Sequence, residues 1–296
     1  MNGADGQLGL AGMPRRLVTT SPSKLSAWVD CPRKYRFAYV DRPTPPKGAP
    51  WAHSSLGASV HNALAAWWSL PMERRDAEEA GRLLESGWLE DGYRDDAQSA
   101  QWLARAREMV MAYVAALDPA DEPRGVERSV GYRTEVISVT GRVDRIDERP
   151  SEDGGRELVI VDYKTGRSAL TVDDARGSLQ LALYALAAAG VLRLRCRRVE
   201  LHHLPTARVL AWEHTPQSLE RHLRRAEAIA LEARDATDAA ADGRPVDEAF
   251  PARTGPLCQY CDWRARCPEG QAASRALHPW DGLAREDAVL DEPLEG

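Results

Sequence analysis

Apolar residues recur at helical spacing through roughly the first 120 positions and at strand spacing after them. The periodicity predicts helices over about 24–39, 57–70, 76–89 and 96–117. Ser21-Pro-Ser23 opens the first of these, and the Pro-rich stretch 42–48 ends it. Past Pro119 and Pro123 the character changes. Segments 126–133, 135–148 and 157–164 are rich in Val and Ile and partly alternate, which predicts strands. Leu158-Val-Ile-Val161 is apolar throughout, as a central strand covered on both faces should be. Asp173 and Asp174 can cap a helix running to Ala189, with Gly190 as its stop. Strands over 197–204 and 209–214 follow, then a charged helix over about 216–240. The series describes an α/β core of about 120 residues wrapped by a helical part.

Composition sharpens this picture. The chain has 296 residues, 43% hydrophobic and 28% charged, a size that suggests two domains or one core with a large appendage. No apolar run approaches the roughly 18–20 residues of a membrane span. The first residues lack a basic stretch followed by an apolar one, so no secretory signal is expected and a cytoplasmic location is. Collagen-like, membrane-spanning and disulfide-scaffold classes are excluded. Of the net charge of −6, a stretch of six acidic residues against Arg285 after Pro279 carries −5. The remainder is near neutral, with basic clusters at 33–36, 193–198 and 221–225 that permit a phosphate-backbone partner without demanding one. Of the 39 basic residues only Lys24, Lys34, Lys47 and Lys164 are lysine.

One of those lysines sits in the densest chemistry of the chain. Asp144 lies in Gly141-Arg-Val-Asp-Arg-Ile-Asp147, and Asp162 and Lys164 close the apolar strand. Residues two apart on a strand share a face, so Asp162 and Lys164 point the same way. A hairpin across 149–156 brings Asp144 beside them. Surface pairing with Arg142 or Arg145 would explain one such aspartate. Two carboxylates and a scarce lysine at a buried strand end call for a cation. Hard oxygen ligands favour Mg²⁺ or Mn²⁺, which would acidify a bound water and stabilise phosphoryl charge. Lys164 would then orient that water or offset transition-state charge.

"GRVDRID" followed by "VIVDYKTG" resembles the core signature of the PD-(D/E)XK nuclease superfamily, and of its RecB-like branch in particular. The resemblance implies a restriction-endonuclease-like fold, a mixed central sheet flanked by helices. It also implies roles for residues that are unremarkable alone. Glu127 resembles the acidic residue before the hairpin, with Glu135 as a competitor. Gln180 and Tyr184, at i and i+4 on one helix face, resemble the QxxxY motif. His61 resembles the branch's upstream metal-binding histidine, where a lone histidine on an amphipathic helix would otherwise be a boundary residue. The implied catalytic set is Asp144, Asp162, Lys164, Gln180 and Tyr184. The implied metal ligands are His61, Glu127, Asp144 and Asp162.

Five cysteines complete the inventory: Cys31, Cys196, Cys258, Cys261 and Cys267. The C-x₂-C-x₅-C spacing of the last three points to metal rather than disulfide. Either Cys31 or Cys196 can supply a fourth ligand to zinc or to an iron–sulfur cluster, and Cys196 begins a predicted core strand. The resemblance selects Cys31. RecB-like nucleases of the AddB and CRISPR-adaptation type carry one cysteine before the histidine and three after the core, holding a 4Fe-4S cluster. Structural Zn²⁺ is the rival. Such a cluster would staple the two ends of the chain.

The expected organisation is a disordered leader over 1–20, a helical part over 21–120 carrying Cys31 and His61, the nuclease core over 121–245, the iron–sulfur segment over 246–270 and an acidic tail over 271–296. The expected activity is Mg²⁺-dependent DNA cleavage, from single-stranded or frayed ends, in repair or recombination. Trp67, Trp68 or Tyr35 are stacking candidates. The chain has no G-x-x-x-x-G-K-[ST] loop, so a helicase or a repair-complex subunit would be a separate partner. The alternatives are a catalytically silent DNA-binding or assembly module partnering a helicase, and a hydrolase of another phosphoester.

Overall fold

The computed structural model describes residues 17–151, 154–166 and 168–283. A six-stranded mixed sheet lies between two groups of helices. Strand β1 (Val18–Thr20) leads into α1 (Pro22–Asp30) and α2 (Pro32–Tyr35), which continues as a wide π-type turn over Arg36–Val40. Helices α3 (Ala52–Trp68), α4 (Ala77–Ser86) and α5 (Asp96–Ala115) follow. Then come β2 (Gly125–Arg133), β3 (Ile137–Pro150) and β4 (Arg156–Lys164). Helices α6 (Val172–Gly177) and α7 (Leu179–Leu192) lead to β5 (Cys196–His203) and β6 (Arg208–Glu213). Helices α8 (Pro216–Ala241), α9 (Val246–Ala249) and α10 (Pro268–Ala273) close the set.

The apolar strand behaves as its composition demands. On β4, Leu158 and Ile160 pack under α7, while Val159, Val161 and Tyr163 pack under α3–α5. A residue-by-residue alternation with both faces buried is what a continuous apolar run encodes. Helix α3 buries Leu56, Val60, Ala63, Leu64 and Trp67 against that face, leaving His61 at its margin.

Strand β3 organises the rest. Its residues 138–146 pair antiparallel with β2 along one edge. The other edge is shared: β1 pairs in parallel with Ile137–Val139, and β4 antiparallel from Arg145 onward. Between them, residues 140–144 of that edge have no strand partner among the described residues. This gap in the sheet is the place where a cleft can form.

Several expectations need correction. The leader does not extend to 20, because Val18–Thr20 gain a parallel partner in β3. The helix expected over 24–39 breaks at Cys31, whose extended backbone (φ −166°, ψ 117°) precedes Pro32. Gly190 lies inside α7, which ends at Leu192, with Arg193 in the left-handed conformation (φ 55°) as its cap. Asp173 and Asp174 belong to a separate short helix, capped by Thr171. The tail expected from 271 still contributes structure, since α10 reaches Ala273 and Leu283 is fully buried. The greater part of the acidic stretch, and residues 1–16, lie outside the described residues. No helix among the described residues is long and apolar enough to cross a membrane.

Candidate functional site

Pairing of Val126 with Arg145 and of Arg128 with Val143 sets Glu127 opposite Asp144. Pairing of Arg145 with Val161 carries the same register one step further and sets Asp162 opposite Asp144 on its other side. Three carboxylates therefore stand in a row across β2, β3 and β4, at the gap in the sheet. Like charges directly opposite across strands are destabilising. Glu127 also holds a left-handed backbone (φ 45°), which costs a non-glycine residue energy. Arg142 Nε lies 2.7 Å from Glu127 Oε2.

His61 reaches the row from α3. Its Nε2 is 3.1 Å from the carbonyl of Tyr163, which can only accept, so Nε2 carries the proton. In the neutral ring Nδ1 then presents a lone pair 3.4 Å from Asp144 Oδ2. A lone pair facing a carboxylate is unfavourable unless the ring protonates or a cation lies between. A carbonyl fixing the tautomer from behind is the usual support of a metal-ligating histidine. The ligand atoms of His61, Glu127 and Asp144 lie within 4.8 Å of one another, the one such group among the described residues.

Asp162 stands beside this group rather than in it. It is only 4% exposed, its Oδ1 accepts from Gln180 Nε2 at 3.1 Å, and its Oδ2 lies 2.6 Å from Lys164 Nζ. Burial pushes the Asp162 carboxyl upward, Lys164 opposes this, and Asp144 adds to it. Burial likewise raises Glu127, with Arg142 opposing and Asp144 adding. Burial pulls His61 down, but its hydrogen bond to Asp144 and the charges of Asp144, Asp162 and Glu127 outweigh it and leave the imidazole raised. Burial and the two aspartates push Tyr184 up to about 12. The row resists being fully ionised without a cation, so these residues fit a hard divalent ion.

The family model of the PD-(D/E)XK nuclease superfamily matches residues 19–268. The chain belongs to this superfamily. Members of the PD-(D/E)XK superfamily are in general metal-dependent nucleases. A search of the curated proteins finds no match. Among solved structures, one described as "Crystal structure of SSO0001" is similar at 12% identity, over 88% of this chain and 91% of that chain, with a TM-score of 0.37.

The superfamily's sheet and flanking helices surround a cleft of about 490 Å³, whose lining includes His61, Glu127, Asp144, Gln180 and Tyr184. Sequence reasoning missed other members of that lining: Ser21 and Ser23 after β1, Asn62, Gly141 and Arg142. Gly141 is where it is for a steric reason. A Cβ there would stand 2.4 Å from Tyr184 Cε1, so the tyrosine ring lies over bare backbone. Tyr163 was also unforeseen: its main chain bonds both His61 and Asp144. Glu135 sits exposed in the turn before β3 and does not line the cleft. Trp67 and Trp68 are core residues and offer no stacking face.

Beyond the C-terminal end of α1, Cys31, Cys258, Cys261 and Cys267 line one cavity of about 140 Å³. Cys196 packs instead in the sheet core, as a small hydrophobe. Cys31 Sγ accepts from the Arg253 amide at 3.3 Å and Cys267 Sγ from the Gly270 amide at 3.3 Å. A Cβ on Gly270 would approach Cys267 Sγ at 3.3 Å and Cys258 Sγ at 3.8 Å. Sulfurs that accept amide hydrogens around a glycine cradle suit a ligated thiolate. Arg33, buried beside them, pairs with Asp247 and Glu269.

Proposed function

We propose that the protein is a Mg²⁺- or Mn²⁺-dependent deoxyribonuclease of RecB-like type that trims single-stranded or frayed DNA ends in repair or recombination. The observation that carries this reading is the row of Glu127, Asp144 and Asp162, joined by His61, at the floor of the cleft. A divalent ion there supplies an acidified water and Lewis-acid stabilisation of phosphoryl oxygens. His61, Glu127 and Asp144 would hold it, with Asp162 completing the site. Lys164, kept close to Asp162, orients the attacking water and offsets charge on the phosphate. Gln180 fixes the Asp162 carboxylate, and Tyr184, neutral well above physiological pH, offers a hydroxyl to the strand. A cleft of this volume admits a nucleotide-sized group, in keeping with action at strand ends.

The four cysteines would bind a 4Fe-4S cluster. No three of their sulfurs lie within 4.8 Å of one another. Zinc at about 2.3 Å from each sulfur would draw them closer than that. The cluster's role would be structural, since phosphodiester hydrolysis transfers no electrons. A helicase is the partner such a nuclease would serve.

The test is cleavage of end-labelled single- and double-stranded DNA by anaerobically purified protein, with and without Mg²⁺ or Mn²⁺. Metal-dependent cleavage lost in Lys164→Ala is the expected result. DNA bound but intact under every metal would replace the nuclease with an assembly module.

A further inference from the structure

We infer that Arg142 alternates between two partners: Glu127 when the cleft is without metal, and a phosphate of the nucleic acid when the cleft is loaded. This rests on the metal-dependent nuclease reading above and extends it to a substrate contact outside the expected site residues.

Three observations lead there. The guanidinium approaches Glu127 most closely at Nε–Oε2, 2.7 Å, and the Arg142 side chain is 69% exposed within the cleft. An ion pair that open to water is worth little, so a divalent ion can take Glu127 from Arg142 at small cost. The main chain of Arg142, by contrast, is anchored. It pairs with Ser129 of β2, where the other edge of β3 has no strand partner among the described residues, and its backbone is hydrogen-bonded to the Tyr184 hydroxyl. The side chain therefore swings from a fixed point two residues from Asp144.

Charge supplies the reason for the exchange. With a divalent ion, Lys164 and Arg142 set against the three carboxylates, and His61 neutral, the loaded cleft carries one net positive charge. A single phosphodiester cancels it. Without Arg142 the loaded cleft would be neutral overall and would hold a phosphate more weakly. A guanidinium is also the group whose planar fork matches two phosphate oxygens. Arg142 is thus a placeholder cation on the empty site and a phosphate-binding residue on the filled one.

Two measurements on the full-length protein test this, made on wild type, Arg142→Ala and Arg142→Lys. Mn²⁺ binding without DNA is followed by electron paramagnetic resonance. Binding of a fluorescein-labelled single-stranded oligonucleotide is followed by anisotropy, with Ca²⁺ replacing Mg²⁺ to keep the strand uncut. Arg142→Ala is expected to bind Mn²⁺ severalfold more tightly, because a competing cation is gone. It should bind the oligonucleotide about tenfold more weakly, and the slope of log K against log salt should fall by about one. Arg142→Lys should recover part of the DNA affinity. Unchanged oligonucleotide affinity and salt slope, with Mn²⁺ binding intact, would overturn the phosphate contact. Loss of Mn²⁺ binding in Arg142→Ala would make the residue a prop for Glu127 and overturn the exchange. If wild type binds no Mn²⁺, the metal reading itself fails and the inference falls with it.

Discussion

Tyr163 donates its backbone N–H to Asp144 Oδ2 at 2.9 Å, and its carbonyl accepts from His61 on the other side of the cleft floor at 3.1 Å. One residue of β4 thereby sets the spacing of two side chains of the proposed metal site, drawn from α3 and β3. Its ring points away from Asp162, edge-on to the His61 ring at 5.7 Å between centroids, and its hydroxyl accepts from Trp68 Nε1 at 3.3 Å and Arg145 Nη1 at 3.4 Å. Tyr163→Phe should lose ~1–3 kcal/mol of stability, the cost of leaving buried donors unpaired. Mn²⁺ affinity should stay within about twofold, because the main-chain bonds remain. Denaturant unfolding and metal titration of the same sample check both halves.

Asp144→Asn separates the price of the carboxylate row from its use. Removing the central charge relieves repulsion from both neighbours, so the metal-free variant should be at least as stable as wild type. Wild type should gain ~2.7 kcal/mol at a metal concentration one hundred times the dissociation constant, and the variant nothing. Thermal unfolding with and without Mn²⁺ reads the difference.

Gly141→Ala should push the Tyr184 ring off the backbone it covers. The clash involves ring carbons rather than a flexible tip, so ~1–3 kcal/mol of destabilisation is expected with the fold retained. DNA cleavage should fall with it. Gly141→Ala combined with Tyr184→Ala should recover the stability and not the activity.

A pH dependence follows from His214, which is 1% exposed, with Nδ1 bonded to Ser218 at 2.6 Å and Nε2 unpartnered among the described residues. Burial, aided by the nearby His222, pulls its pKa down to about 4. Between that value and the ordinary histidine range the unfolded chain binds the proton and the folded chain does not. Stability should therefore fall as pH drops from about 6.5 towards 4, by ~1–3 kcal/mol from this residue. Urea unfolding at pH 7.5 and pH 5 should show a smaller difference in His214→Phe than in wild type.

Cys31→Ser tests the cavity. The variant should be purified with less iron and sulfide, lower visible absorbance and lower thermal stability than wild type. A full metal complement in Cys31→Ser would remove Cys31 from the ligand set.

The site was legible wherever local pattern and chemistry agreed. The apolar run 158–161 announced a doubly covered strand, and Asp162 and Lys164 beyond it had to share a face. Strand β1 was not legible: three residues become a strand only because Ile137–Val139, far along the chain, receive them. The bonds across the far face were hidden for another reason. Arg145, Glu200 and His202 are buried, and ion pairs among them, Asp147 and Arg149 account for it. The tryptophans of α3, stacking candidates that more often prove to be core residues, are core here, packed against α4 and α5.

The meeting of Cys31 with the 258–267 segment has a consequence for the order in which the protein is made. Every side chain of the cleft has left the ribosome once Tyr184 is out, and the sheet pairs that align them need only β6 to be complete. The cavity cannot close until Cys267 emerges, and Arg33, which can meet Asp247 earlier, gains Glu269 only after that. Because nascent chains fold progressively from the N-terminus, α1 can pack on the sheet and α8 while Cys31, at its end, still waits for its three later partners. The cysteine cavity is therefore completed after the carboxylate row is already aligned.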